Sequence, residues 1–267
     1  MSFSISGKTA IVTGAANGVG LAIARHFVEE GANVVFCDMD EAALLHEVGD
    51  LLTDDGPVRI FAGDLRKKLT IANLLSATVD AFERVDILVN AARQVTLTDP
   101  LDPSDDSIQS LLDQNLMTSL RVSQAVARKM IKQAEDQPEG QAGSIVNLSS
   151  IAARRTSPDL MGYSIASAAL DQMTRSLAVA LASKRIRVNA VAFGSVMSAS
   201  LKGALKENDD YRADILTHTP LHRIAGPGEV CDAVQYLSSE ASAFVTGQII
   251  TVDGGRTLID AVSSPAH

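Results

Sequence analysis

The segment Thr13-Gly14-Ala15-Ala16-Asn17-Gly18-Val19-Gly20 decides the fold, because its three glycines stand between an apolar run and a stretch of helical periodicity. Glycine permits a tight turn at position 14, lets a pyrophosphate approach the backbone at position 18 and allows close helix packing at position 20. The helix that begins there offers free amide donors to phosphate groups. An ordinary glycine-rich turn is the alternative, but the flanking strand and helix favour a dinucleotide-binding turn. The residues expected to hold the cofactor here are Gly14, Asn17, Gly18, Val19 and Gly20.

Short β-rich runs alternate with longer amphipathic stretches along the chain, which is typical of βαβ units and a parallel sheet. The predicted strands are Thr9–Thr13, Asn33–Asp38, Val58–Ala62, Asp86–Asn90, Ser144–Ser149, Arg187–Ala192 and Gln248–Val252. The predicted helices are Val19–Glu30, Glu41–Leu52, Leu69–Arg84, Ser107–Gln133, Gly162–Ser183 and Glu229–Ser238. We expect one domain over residues 1–267, an α/β doubly wound Rossmann-type fold with about seven parallel strands and helices on both faces. Residues 193–228 interrupt this alternation of strands and helices and are predicted to form a variable substrate-binding or lid region.

Composition limits the class of protein and its partners. Hydrophobic residues make up 46% and charged residues 21% of the chain, as in an ordinary globular protein. The net charge of −9 repels phosphate backbones, so we expect no nucleic acid partner. Two cysteines, no signal segment and no apolar run of roughly 20 residues predict a cytoplasmic protein without a membrane partner. His218 and His222 have no matching Cys or carboxylate cluster, so no metal is expected.

Asp38 ends the second apolar run, near the spacing of about 20 residues after a glycine turn at which a ribose-binding carboxylate is found. Such a carboxylate accepts hydrogen bonds from the adenosine ribose hydroxyls and repels a 2′-phosphate. Because no Arg or Lys stands at positions 15–19 or 39–41, NAD is predicted rather than NADP. Asp38 also suits the N-cap of a helix that starts near Glu41, and the two roles are compatible.

These motifs resemble those of the short-chain dehydrogenase/reductase family, whose glycine signature is Thr-Gly, three residues and Gly-x-Gly, as at positions 13–20. The resemblance covers nearly the whole chain and extends to Val252-Asp253-Gly254-Gly255 after the last predicted strand. It implies a homotetramer or homodimer that is assembled through helices 107–133 and 162–183 and the C-terminal region. The further cofactor-binding residues that the resemblance implies are Asp64 and Leu65 at the adenine, with Asn90, Gly194, Val196 and Ser198.

The resemblance also implies a catalytic set of Tyr, Ser, Asn and Lys. Tyr163 lies thirteen residues after Ser150, as in the family, and Asn115 corresponds to the family's Asn, which is expected to hold a water in a proton relay. A Tyr donor and a Ser donor that converge on a carbonyl oxygen stabilise the charge that hydride transfer builds there. Ser167 stands four residues after Tyr163, where the family has Lys, and we expect it to hydrogen-bond the nicotinamide ribose.

Other departures from the family pattern cluster around the same predicted site. The sequence reads Asn90-Ala91-Ala92-Arg93 where the family has Asn-Asn-Ala-Gly, and Phe193-Gly194 replaces its Pro-Gly. One hypothesis is that Arg93 restores part of the charge that Ser167 lacks, and the alternative is a solvated arginine on a loop. Arg154 and Arg155, which follow Ser150, are either attractors of an acidic substrate or solvated arginines.

Two functions follow from this pattern. The first is an NAD(H)-dependent oxidoreductase that interconverts a secondary alcohol and a carbonyl, with Tyr163 as acid/base and Ser150 orienting the oxygen. Loss of the lysine predicts a slow enzyme, because the phenolate is stabilised less in both directions, and a bias toward reduction, because reduction starts from the protonated phenol. The alternative is a catalytically impaired NAD-binding homologue that acts as a sensor or partner subunit. Retention of both hydroxyl residues favours the enzyme.

Overall fold

The buried Val, Ile and Phe runs pair into one parallel sheet in the computed structural model, which describes residues 2–136, 139–197, 199–207 and 210–260. Its seven strands lie in the order β3-β2-β1-β4-β5-β6-β7. Their bounds are β1 Thr9–Thr13, β2 Asn33–Asp38, β3 Val58–Ala62, β4 Ile87–Asn90, β5 Gly143–Ser150, β6 Ile186–Phe193 and β7 Ile249–Val252. The predicted doubly wound α/β fold is therefore confirmed: β1, β2 and β3 have the predicted bounds, and the ends of the other strands differ from the predicted ones by at most one residue.

Helices connect the strands and cover the sheet. They are α1 Gly18–Glu29, α2 Glu41–Val48, α3 Lys68–Phe82, α4 Ser107–Leu111, α5 Thr118–Gln133, α6 Met161–Ala182, α7 Ala199–Glu207, α8 Asp210–Thr217 and α9 Pro227–Ser238. A π-helical turn, Leu112–Met117, joins α4 to α5, so the predicted helix 107–133 contains an inserted wider turn. Helix α9 begins before the predicted Glu229, because proline is favoured in a first turn and Glu229 accepts the Gly226 amide at 2.7 Å.

The alternation of side chains along each strand separates two hydrophobic layers. One layer contains Val12 and Phe36 and packs under α1, α2 and α9, whereas the other contains Ile11 and Val35 and packs under α3, α5 and α6. Both faces of the central strands are buried, which is why their sequences are apolar throughout. No helix in the described part of the chain combines the length and apolarity that crossing a membrane requires.

The order of the strands reverses between β1 and β4, which places a crevice at their carboxyl ends. The loops that leave these two strands stay in contact there. Thr13 Oγ1 accepts hydrogen bonds from the amides of Ala91 and Ala92, both at 3.1 Å. A Cβ atom on Gly14 would lie 2.6 Å from the Ala92 Cα atom, so only glycine permits this approach. The glycine turn and the loop after β4 therefore form one packed unit.

A buried polar network fixes the ends of β4 and β5 relative to the helices above them. Asn90 Nδ2 donates to Ser123 Oγ at 2.9 Å and to Asn147 Oδ1 at 2.8 Å. Asn147 Nδ2 in turn donates to Thr174 Oγ1 at 2.8 Å. Asn90 is thus held by protein groups and does not line the large cleft described below, and its contact with a cofactor stays a prediction.

Replacing Asn90 with alanine should destabilise the fold by about 1–3 kcal/mol, because it leaves the buried Asn147 and Ser123 without a partner. Chemical unfolding measured by circular dichroism tests this change in the free energy of unfolding. Asn73→Ala on the exposed face of α3 is the control and should change stability by less than about 0.5 kcal/mol. Equal stability of the two variants would show that the network contributes little.

Candidate active site

A cleft of about 1350 Å³ opens at the carboxyl edge of the sheet. Its walls contain most of the residues that the sequence places at the site. These are Gly14, Asn17, Gly18, Val19, Gly20, Asp38, Asp64, Leu65, Ser150, Tyr163, Gly194 and Val196. Asn90, Asn115 and Ser167 do not line this cleft, and Ser198 lies outside the described residues. The variable region contributes Leu201 and Tyr211 to the wall.

The glycine turn presents open backbone to one end of the cleft. A Cβ atom on Gly20 would lie 2.1 Å from the carbonyl oxygen of Gly14, so this glycine is needed for the helix to start against the turn. A Cβ atom on Gly18 would have no neighbour within 4 Å, which shows that its backbone faces open space. The side chain of Asn17 does not cap α1, so the first amides of the helix remain available to an anion.

Asp38 fixes the turn from the end of β2. Its carboxylate accepts the amide of Ala16 at 3.2 Å and the amides of Met39 at 2.7 Å and Asp40 at 3.2 Å. The suggested N-cap role of Asp38 is wrong, because Asp40 caps α2 by accepting the Ala43 amide at 2.9 Å. Asp38 instead lines the cleft with its charge near the glycine turn.

Asp64 and Leu65 follow β3 and close the same side of the cleft. Leu65 is buried, whereas Asp64 forms a two-point ion pair with Arg66, with Nε–Oδ1 at 2.8 Å and Nη2–Oδ2 at 3.0 Å. The hydrogen bonds from Arg66 hold the pKa of the Asp64 carboxyl below its usual range. The pair leaves little net charge at this wall.

Tyr163 and Ser150 meet the cleft from different elements. Tyr163 lies in the first turn of α6, and Ser150 is the last residue of β5. The oxygen of Ser150 accepts the Ala152 amide at 3.1 Å, which leaves its hydroxyl hydrogen able to donate. Both side chains are largely buried and both line the cleft. The arrangement can therefore offer two hydroxyl donors to one bound oxygen.

Arg93, on the loop after β4, reaches directly to Tyr163. Its Nη1 atom donates to the Tyr163 hydroxyl oxygen at 2.8 Å and to the carbonyl of Ser149 at 3.3 Å. The Cζ atom lies 4.2 Å from the centre of the Phe193 ring, a cation–π distance. Arg93 is thus a fixed, partly buried cation beside a phenol, and the solvated-loop alternative is wrong.

Ser167 and Asn115 lie around a second cavity of about 10 Å³, which Arg93 and Tyr163 also line. The Ser167 hydroxyl donates to the backbone carbonyl of Tyr163 at 2.8 Å, and its hydrogen bond to the nicotinamide ribose stays a prediction. Asn115 lies in the π-helical turn, where its side chain accepts the Gln94 amide and donates to the Gln94 carbonyl, both at 2.8 Å. Its role in a relay stays a prediction.

Arg154 and Arg155 are adjacent in sequence, but their side chains point to different places in the structure. Arg154 donates to Thr251 Oγ1 at 3.0 Å and does not line the cleft, whereas Arg155 lines it and donates to the Thr257 carbonyl. Arg256 also lines the cleft and donates to Ser195 Oγ at 2.9 Å. Sequence reasoning missed Arg256, although its place just after β7 puts it at the same sheet edge.

Cys37 also borders the cleft, but its thiol is not a nucleophile. Burial raises the pKa of the Cys37 thiol well above its usual range, so the thiol stays protonated. A cysteine nucleophile is therefore not part of this site.

Comparison with known proteins places the chain among nicotinamide-cofactor enzymes of one family. Residues 14–257 match the family described as enoyl-(acyl carrier protein) reductase. The chain is 33% identical to 3-oxoacyl-(acyl-carrier-protein) reductase FabG of Chlamydia muridarum (strain MoPn / Nigg) over 93% of this chain and 96% of that protein.

Two solved structures have the same architecture. A 7α-hydroxysteroid dehydrogenase in complex with NADH and 7-oxo glycochenodeoxycholic acid aligns with a TM-score of 0.86 at 30% identity, over 95% of both chains. A short-chain type dehydrogenase/reductase from Mycobacterium ulcerans aligns with a TM-score of 0.86 at 28% identity, over 96% of this chain and 91% of the other. The chain belongs to the short-chain dehydrogenase/reductase family.

Proposed function

We propose that this protein is an NAD(H)-dependent oxidoreductase that interconverts a secondary alcohol and a carbonyl. The observation that carries the proposal is that Tyr163 and Ser150 line the same cleft as the glycine turn and Asp38. The glycine turn would hold the phosphates of a nicotinamide cofactor in this cleft, and Tyr163 and Ser150 would serve the oxygen of the substrate. The relatives named above are reductases and dehydrogenases, which agrees with this reaction class.

The described residues fit a nicotinamide dinucleotide. The uncapped amides of α1 and the open backbone at Gly18 suit a pyrophosphate, and the Asp38 carboxylate suits ribose hydroxyls. Arg66, which lines the cleft close to Asp64, is engaged by that carboxylate and so does not favour a 2′-phosphate. When bound, the cofactor supplies or accepts a hydride.

The two hydroxyl side chains supply the rest of the chemistry. In the reducing direction, Tyr163 donates its phenolic proton to the oxygen of the carbonyl as that oxygen gains negative charge. Ser150 donates a hydrogen bond to the same oxygen and fixes its position. Because Ser150 already accepts the Ala152 amide, its hydroxyl is polarised and is a stronger donor.

The sensor or partner-subunit alternative is less well supported. It explains the missing lysine but gives no reason for two hydroxyl donors at the wall of the cleft, or for a cation on the phenol. The named relatives are enzymes.

Replacing Tyr163 with phenylalanine should reduce carbonyl reduction at least about 100-fold, because it removes the proton donor. NADH consumption against a panel of ketones measures this rate, and NADH binding, measured by fluorescence, should change less than about twofold. The control is Tyr236→Phe on α9, where the ring packs against Phe3 away from the cleft. Undiminished turnover by Tyr163→Phe would exclude Tyr163 as the acid.

Wild-type protein should bind NADH more tightly than NADPH, because the charge of Asp38 repels a 2′-phosphate. Asp38→Asn should narrow the ratio of the two dissociation constants by about tenfold, which is about 1.4 kcal/mol. Isothermal titration with both cofactors measures the ratio. Asp40→Asn removes a charge two residues away, outside the cleft, and should leave the ratio unchanged. Tighter NADPH binding by the wild type would contradict the assignment of NAD.

Arg155 and Arg256 lead us to propose a substrate that carries an anionic group. Both line the cleft, and neither forms an ion pair within residues 2–136, 139–197, 199–207 and 210–260, so their charges are available to a ligand. A cleft with positive side chains in a protein of net charge −9 attracts acidic molecules locally.

An oxo acid and its methyl ester, such as 4-oxocyclohexanecarboxylate, test this preference. Arg155→Ala and Arg256→Ala should each raise KM for the acid about fivefold, or about 1 kcal/mol, and leave KM for the ester unchanged. Arg154→Ala is the matched control, since Arg154 does not line the cleft. An equal effect of the variants on acid and ester would contradict an anionic substrate.

A further inference from the structure

Three positions at which this sequence departs from the family pattern lie around one phenol. Arg93 stands in place of Gly, Phe193 in place of Pro and Ser167 in place of Lys. They belong to the loop after β4, the end of β6 and the helix α6, which are far apart in sequence. Yet Arg93 contacts Tyr163 and Phe193, and Ser167 lines the same small cavity as Arg93 and Tyr163. Their proximity indicates that the three changes act together.

The contacts of Arg93 fix its guanidinium at the phenol. The hydrogen bond to the Tyr163 oxygen at 2.8 Å is supported by one to the Ser149 carbonyl at 3.3 Å. The Phe193 ring, 4.2 Å from the Cζ atom, supports the guanidinium plane, which a proline at this position would not do. Because the Tyr163 oxygen accepts from Arg93, its own hydrogen remains free for donation into the cleft.

Ser167 provides no charge to this group. Its hydroxyl donates to the backbone of its own helix at Tyr163, so the helix that carries the phenol does not carry its cation. The shared cavity of about 10 Å³ has room for about one water molecule. The cation beside the phenol therefore comes from a different element of the fold.

We propose that Arg93 replaces the missing lysine by stabilising the Tyr163 phenolate that forms during carbonyl reduction. This inference rests on the proposed function. In the step, the Tyr163 O–H bond breaks and its proton goes to the substrate oxygen, while a hydride from bound NADH goes to the carbonyl carbon. The products are the alcohol, NAD⁺ and a phenolate paired with the Arg93 guanidinium, and solvent returns the proton.

This proposal assigns Phe193 a positioning role. The ring lies against the guanidinium, with the Cζ atom 4.2 Å from its centre, so it acts by holding Arg93 in place. Phe193→Leu keeps an apolar side chain and removes the stacking surface. It should lower kcat about threefold to tenfold without changing NADH affinity, a smaller loss than removal of Arg93 itself.

A swap of the cation between the two elements tests the proposal. Arg93→Ala should lower kcat about 100-fold with less than a twofold change in KM or NADH affinity, and Arg93→Lys should retain much of the rate. Adding Ser167→Lys to Arg93→Ala should recover at least about tenfold, because a cation then reaches the phenol from α6. Ser167→Lys alone should give no gain, since it adds a second cation beside the first. Guanidinium chloride at millimolar concentration should also partly rescue Arg93→Ala.

A purely structural role for Arg93 predicts a different pattern. Neither lysine at position 167 nor added guanidinium would then restore the rate, and that result overturns the proposal, as does full activity of Arg93→Ala. If Arg93→Ala does not fold, Arg93→Met keeps packing against Phe193 without charge and is tested in its place. Inactivity of the wild type, or equal activity of wild type and Tyr163→Phe, overturns the proposed function itself. Loss with Tyr163→Phe but not with Arg93→Ala overturns only the role of Arg93.

Discussion

All seven strands run in the same direction, and for this reason every loop that follows a strand emerges at one edge of the sheet. The strand order reverses between β1 and β4, so the loops that follow these two strands lead to opposite sides of the sheet. A crevice is left between them at that edge. The chemistry of the site depends on this constraint. The glycine turn follows β1, Asp38 ends β2, Arg93 follows β4 and Ser150 ends β5. Tyr163 comes from α6, which brings it back over the ends of the strands.

The cation beside Tyr163 is supplied by the loop after β4, because Ser167 of α6 carries no charge. A phenol that gives up its proton in a partly buried place needs a nearby cation, since the low local dielectric penalises an isolated negative charge. The helix position that faces Tyr163 one turn later is a serine whose hydroxyl bonds to the backbone. The guanidinium of Arg93 provides this cation from the loop after β4, and the arginine side chain is longer than that of a lysine. Its planar shape also allows the contact with Phe193 that fixes it.

The periodicity and the glycine turn were sufficient to predict the sheet and the helices that cover it, because these depend on local patterns and on the parallel-strand rule, but they did not predict α7 and α8 within residues 193–228. Side-chain partners were harder to predict. Asp38 and Asp40 both precede a helix, and only the backbone geometry shows that Asp40 caps it. Asn90 and Asn115 look like ligand-binding amides, yet their hydrogen bonds go to protein groups more than twenty residues away in sequence. The contact of Arg93 with Phe193 joins two residues that no local pattern connects.

The position of Arg93 has a mechanical consequence for the site. Arg93 directly follows Ala92, whose backbone contacts Gly14 and whose amide is held by Thr13. The turn that suits the phosphates and the loop that carries the cation are therefore packed against each other. A substitution that moves the turn also moves the guanidinium relative to Tyr163, and only 2.8 Å separates that nitrogen from the phenolic oxygen. The distance from a lysine on α6 to the phenol would not change with such a movement, because both side chains would belong to the same helix. In this chain, cofactor geometry and phenolate stabilisation are coupled through a single pair of loops.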